Sequence, residues 1–260
     1  MEVTGSNPVT STKDPSYSAG SFFFSVWSVA TVVVYTAGID LAWVGGRLRL
    51  GTDRGCLDIQ GFFWLAVCME QLDLGVCEAQ FFGEDPERVA VLLPGAYYVP
   101  AAPLLWFARE ALQAHGWSVL QVWDQWDRSL DPTQWVLDRL NAALDHVGKT
   151  ASRLLVTKSM SSHALPVAVE LGLPGIWMTP LLGRESVRNA LAAVRTATLA
   201  IGGTADQTWD SEFVAALKNV EVLEVPDADH SLQYPGDPTR SIEALQQVTE
   251  RIGVFAGRLD

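Results

Sequence analysis

The chain has 260 residues, of which 48% are hydrophobic, enough for one domain with a substantial core and too apolar for a disordered polymer. Its formal net charge is −12 and its lysines are Lys13, Lys149, Lys158 and Lys218, with no basic cluster, so a face that neutralises nucleic-acid phosphates is not expected. No CxxC pair, HExxH, EF-hand loop or P-loop occurs, and Cys56, Cys68 and Cys77 form an odd, clustered set. That pattern fits a reducing compartment rather than a disulfide scaffold, and no metal or cofactor is expected.

Residues 1–86 read as an atypical extension. Ser16–Ile39 holds no charged residue and includes Phe22-Phe23-Phe24 and Thr31-Val32-Val33-Val34, a length that could cross a bilayer or form a signal-peptide core. Lys13 is the only basic residue ahead of it and is offset by Glu2 and Asp14. Gly5-Ser6-Asn7-Pro8-Val9-Thr10-Ser11-Thr12 resembles the end of a transfer-RNA gene read as protein, since the T-arm consensus GGTTCGAATCC encodes Gly-Ser-Asn-Pro in one frame. The expectation is an extension that is disordered or that comes from a start placed too far upstream, with Met69 as the true start and a cytoplasmic protein. A membrane or export segment at 16–39 and an unusual ordered extension are the alternatives.

Residues 87–260 alternate two kinds of segment. Val89–Leu93, Ser118–Trp123, Arg153–Val156, Gly175–Met178, Thr198–Gly202 and Val220–Val225 read as strands, several apolar throughout as in a parallel sheet buried on both faces. Between them, Asp131-Pro132 sets a capping acid and a first-turn proline ahead of Val136, Leu140, Leu144 and Val147. Asp237-Pro238 repeats the device before Ile242, Leu245, Val248, Ile252, Phe255 and Leu259. Such alternation predicts an α/β fold, a doubly wound sheet between two helical layers.

Three strand ends carry chemistry. Leu154-Leu155-Val156-Thr157-Lys158 runs into Ser159, Ile201-Gly202-Gly203-Thr204-Ala205 into Asp206, and Val225-Pro226-Asp227-Ala228-Asp229 into His230. A serine hydroxyl is a weak nucleophile until a base takes its proton, and the base needs an acid to fix its tautomer. Each residue also has a plainer role open to it: Ser159 as a helix cap, Asp206 as a cap for a helix starting near Trp209, His230 as a surface loop residue. Asp210 is the fallback acid. His163, on the helix behind Ser159, is the rival base, though helix geometry directs it away, and His115 and His146 read as residues near helix ends.

These segments resemble the α/β-hydrolase superfamily, specifically its small dienelactone-hydrolase-like branch, over about residues 87–258. The resemblance rests on Leu93-Pro94-Gly95-Ala96, Lys158-Ser159, Gly202-Gly203-Thr204-Ala205-Asp206 and Ala228-Asp229-His230-Ser231. Relatives in that branch read Gly-Lys-Ser-Leu-Gly at the elbow, so Lys158 and Ser159 match while Thr157 and Ser161 depart. The resemblance implies a three-layer α/β/α sandwich on a mostly parallel sheet of eight strands or a trimmed version. Thr179–Arg195 leaves little room for a cap. It also implies a serine hydrolase acting on a small ester or thioester through Ser159, His230 and Asp206, and serine at 159 argues against the dienelactone substrate, whose hydrolases use cysteine. In that architecture the oxyanion donors are backbone N–H groups of Ala96 or Tyr97 and of Met160, with an ordinary tight turn at Leu92–Tyr98 as the plainer alternative. Tyr97, Tyr98, Trp123 and Trp126 could wall an apolar pocket. A non-catalytic binding protein of the same fold, or a membrane-anchored hydrolase, would also fit these residues. For the extension, mass spectrometry of the native protein is expected to find an N-terminus near Met69, and recovery of a peptide from residues 14–46 would overturn that expectation.

Overall fold

The computed structural model describes residues 69–149 and 152–259 in full and the backbone of 40–44, 47–52 and 55–58. Two units divide the chain, Met1–Leu65 and Ala66–Asp260. In the first, β1 (Asp40–Val44), β2 (Arg47–Thr52) and β3 (Gly55–Asp58) pair antiparallel in that order. The apolar segment 16–39 and the Gly5–Thr12 octapeptide lie outside the described residues. Among the described residues no helix is long and apolar enough to cross a membrane.

In the second unit, β4 (Met69–Asp73) and β5 (Glu78–Phe82) form a hairpin, followed by β6 (Arg88–Leu93), α1 (Pro103–Ala114), β7 (Ser118–Trp123), α2 (Pro132–Val147) and β8 (Ser152–Lys158). A short 3-10 helix (Ser159–Ala164) then runs into α3 (Leu165–Glu170). The remainder is β9 (Gly175–Met178), α4 (Glu185–Ala193), β10 (Thr198–Gly203), α5 (Ser211–Ala215), β11 (Glu221–Val225) and α6 (Pro238–Ala256). The eight strands form one sheet in the order β11-β10-β9-β8-β6-β7-β5-β4. All neighbours are parallel except the β4–β5 and β5–β7 pairs.

The six strands read from the apolar runs all form, but the sheet starts at Met69, ahead of the boundary expected at residue 87. The reason is local. β4 is an edge strand whose residues are almost all exposed, and β5 buries only Ala79 and Phe82, so neither shows a continuous apolar run. Cys77, in the hairpin turn, is buried in the core. Burial pushes its thiol up to about 11, with the Arg139 charge opposing, which marks it as inert packing.

Successive strand residues point to opposite faces, and each face has its own cover. Ala90, Leu92, Leu154, Val156 and Ile201 pack under α1 and α6 through Leu105, Leu112, Val248, Ile252 and Phe255. Val91, Leu93, Leu155, Trp177 and Ala200 pack under the opposite helices through Val136, Leu140, Leu165, Ala168 and Leu191. The aspartate caps form as read: Asp131 accepts from the Gln134 N–H (2.9 Å) and Asp237 from the Arg240 N–H (3.0 Å).

The end of β10 has no room for side chains. A Cβ on Gly203 would lie 2.1 Å from the Ala228 carbonyl oxygen, and one on Gly202 would lie 2.0 Å from the Trp209 ring. This close approach is what sets the loop after β10 against the loop after β11. Gly203→Ala is therefore expected to destabilise the protein by about 1–3 kcal/mol through overpacking against immovable backbone, read as a lower denaturant midpoint.

Candidate active site

The strand-to-helix reversal after β8 takes place at Ser159, whose φ of 54° lies in the left-handed region. A non-glycine residue held there costs about 1–3 kcal/mol and persists only where its surroundings enforce it. Two hydroxyls do so. Ser161 Oγ donates to the Pro94 carbonyl, and Ser162 Oγ accepts from the Leu181 N–H at 3.1 Å. Ser161 thus ties the elbow to the loop after β6. Thr157, at the other expected glycine, is buried, and its hydroxyl has no partner among the described residues.

The structure brings together the three residues expected to react. His230 Nε2 lies 2.7 Å from Ser159 Oγ, and His230 Nδ1 lies 2.7 Å from Asp206 Oδ2. The other carboxylate oxygen, Oδ1, accepts from the Thr208 N–H (2.8 Å) and the Thr208 hydroxyl (2.9 Å). The Asp206 side chain is 2% exposed and that of His230 is 38% exposed, so the acid is shut from water while the imidazole opens to it. Burial pushes the Asp206 carboxyl up, but the hydrogen bonds from His230 and Thr208 and the attraction of His230 outweigh it. The net effect holds Asp206 below the usual carboxylate range. An ionised Asp206 accepting from Nδ1–H leaves Nε2 free to take the serine proton.

The rival residues are occupied elsewhere. Asp210 caps α5 through the Phe213 N–H (2.9 Å) and pairs with Arg188 at 2.6 Å. His163 is buried with Nδ1 3.1 Å from Thr133 Oγ1 of α2. His115 packs on α6, where a Cβ at Gly257 would come within 2.7 Å of it, and His146 lies in the last turn of α2.

Ala96, Tyr97 and Met160 occupy one corner. The Ser161–Pro94 bond closes it, and a Cβ on Gly95 would lie 3.4 Å from Lys158 Cγ. The Ala96 and Tyr97 N–H groups donate to no protein acceptor among the described residues, and Met160 sits in the first turn of its helix, where N–H groups lack helical partners. The aromatic residues separate. Tyr97 and Trp126 pair at 6.3 Å, and Arg128 covers Tyr97 at 4.9 Å. Tyr98 lines a groove of about 370 Å³ with Leu104, Leu232, Tyr234, Ile242 and Leu245, beside the histidine loop. Trp123, expected with them, instead faces a separate hollow beside Cys77 and Asp124 at the β4–β5 hairpin.

Two neighbours of the site, Thr208 and Thr179, escaped the sequence reading, as did the contacts of Lys158. Thr208 buttresses Asp206, and Thr179, at the end of β9 with φ 45°, accepts from Lys158 Nζ at 2.6 Å. Lys158 itself is buried and donates from Nζ to the His230 carbonyl at 2.8 Å. A lysine closing an apolar strand was the available signal, since lysine is almost never fully buried without partners.

No protein-family model matches the chain, and no curated protein matches it in sequence. Solved structures do match in shape. Est1E from Butyrivibrio proteoclasticus aligns with a TM-score of 0.56 at 15% identity over 72% of this chain and 96% of its own. A Pyrococcus furiosus esterase, Pf2001, aligns at 0.57 and 16% identity over 76% and 95%. XC6422 from Xanthomonas campestris, described as an α/β serine hydrolase without lid, aligns at 0.52 and 20% identity over 70% and 93%. The protein has the α/β-hydrolase fold.

His163 gives this region a pH signature. Burial, then the Arg184 charge, holds its imidazole below the ordinary value of 6.5 despite the attraction of Asp131. The folded state therefore favours the neutral ring, and the stability this gives is present above pH 6.5 and is lost as pH falls through the lower folded value. Thermal melts between pH 7.5 and 5 are expected to show a shallower decline in His163→Gln than in the wild type.

Proposed function

We propose that the protein is a serine hydrolase that cleaves a small ester or thioester through an acyl-enzyme. The observation that carries this reading is the hydrogen-bonded chain from Ser159 through His230 to the buried Asp206, with both links at 2.7 Å. Ser159 Oγ attacks the substrate carbonyl while His230 Nε2 takes its proton, and Asp206 stabilises the imidazolium that results. The carbonyl oxygen gains the negative charge and is held by the Met160 N–H and that of Ala96 or Tyr97, each donor contributing on the order of 3 kcal/mol. His230 then passes its proton to the departing alcohol or thiol. Water, deprotonated by the same imidazole, attacks the acyl-enzyme, and release of the acid restores Ser159.

The site's surroundings support a substrate of modest size. Only Thr179–Arg184 separates β9 from α4, so no cap is inserted there. Structures of similar shape include proteins named as esterases, which agrees with ester chemistry.

Reaction of the purified protein with a fluorophosphonate probe tests the proposal. Labelling is expected at Ser159 and is expected to vanish in Ser159→Ala, while Asp206→Asn should lower kcat on an activated ester by roughly 10³–10⁴-fold. A folded protein that never labels would favour the non-catalytic binding role.

A further inference from the structure

Lys158 immediately precedes the serine and is 1% exposed. Its Nζ donates to Thr179 Oγ1 (2.6 Å) and to the His230 carbonyl (2.8 Å), and sits 5.2 Å from the centroid of the Tyr98 ring. Four segments meet at this ammonium: the elbow, the loop after β6, the end of β9 and the histidine loop. No carboxylate forms a salt bridge with it among the described residues. An ammonium buried without a contacting counter-ion is a poor source of stability, because desolvation is offset only by hydrogen bonds. Two of the segments it joins are also strained: Thr179 has φ 45°, and Leu232, two residues past His230, has φ 55°.

We propose that Lys158 is a positioning residue, pinning the His230 backbone to the end of β9 so that the imidazole stays at hydrogen-bond distance from Ser159. This rests on the reading of Ser159 and His230 as the reacting pair. The bonded carbonyl belongs to the residue that carries the imidazole, so fixing it limits how the ring can swing about its own backbone. The hydroxyl of Thr179 fixes the lysine in turn, which makes the clamp a chain of two hydrogen bonds across the mouth of the sheet.

The clamp should titrate. Burial pushes the Lys158 ammonium down to about 8, with attraction by Asp206 from the loop after β10 and Asp229 from the histidine loop opposing. Tyr98, facing it from the loop after β6, stays uncharged in that range because burial pushes its phenol above the ordinary 10.0. His230 meets it through its carbonyl, and Thr179 brings only a hydroxyl. As pH rises through about 8, the charge-assisted bonds become weaker amine bonds.

The test uses the full-length wild type with Lys158→Met, Thr179→Val and Thr179→Ser, assayed on p-nitrophenyl acetate and by the rate of fluorophosphonate labelling. Lys158→Met is expected to lower kcat roughly 10–100-fold, as small misplacements of a catalytic group do, with KM changed by less than about 2-fold. Wild-type kcat/KM should fall as pH rises through about 8 and the variant should lack that limb. Thr179→Val should lose roughly 3–10-fold in kcat, and Thr179→Ser, which keeps the hydroxyl, should recover it. A purely structural lysine would lower the melting temperature yet leave kcat per labelled site and the alkaline limb unchanged, and that result overturns the proposal. If Lys158→Met does not fold, the two Thr179 variants decide, and wild-type kcat in Thr179→Val overturns it. A wild type that neither labels nor turns over removes the nucleophile reading and this proposal together, whereas a labelled wild type beside an unchanged Lys158→Met removes this proposal alone.

Discussion

The site depends on a reversal of chain direction at Ser159. A strand that must hand over to a helix within one residue cannot keep that residue in an ordinary conformation, and Ser159 accordingly sits at φ 54°. The left-handed turn lifts the hydroxyl out of the sheet toward His230, and it is stable only because neighbours hold it from several sides. Ser161 binds Pro94, Ser162 binds Leu181, and Lys158 reaches Thr179 and the His230 carbonyl. Together these ties reach the loops after β6, β9 and β11. The strain at Ser159 is therefore offset by bonds that also align the rest of the site.

This arrangement shows how an elbow can be built without the usual glycines. Glycine at those positions avoids crowding between strand and helix. Here Ser161 uses the same place to donate a hydrogen bond to the loop that carries Ala96 and Tyr97, which connects the elbow to that loop. Thr157 is different. Its hydroxyl is buried with no partner among the described residues, and nothing in the structure explains the choice of threonine over glycine there.

Much of the fold was legible from the chain because strands buried on both faces must be apolar along their length. β6 to β11 could be read that way, and the Asp131-Pro132 and Asp237-Pro238 caps marked the starts of α2 and α6. β4 and β5 could not, since an edge strand with exposed residues carries no such run. At the site, the order Ser159, Asp206, His230 was legible because each follows a buried strand. Lys158, Thr179 and Thr208 were not, because their roles depend on which loop faces which across the sheet. Trp123 was misplaced for the same reason. Its position at a strand end was correct, but in the sheet β7 is next to the β4–β5 hairpin rather than to β8.

The sequence by itself determined the α/β class, the order in which Ser159, Asp206 and His230 follow buried strands and the small size of any insertion after β9, since these follow from apolar periodicity, turn chemistry and segment length. Tertiary structure alone decided that His230 lies 2.7 Å from both Ser159 and Asp206, that Asp210 and His163 serve elsewhere, and that a buried ammonium joins four loops. Periodicity reports which face of an element is buried and says nothing about the partner it meets there. Residues 159, 206 and 230 become neighbours only when β8, β9 and β10 lie side by side in parallel, with β11 beside β10.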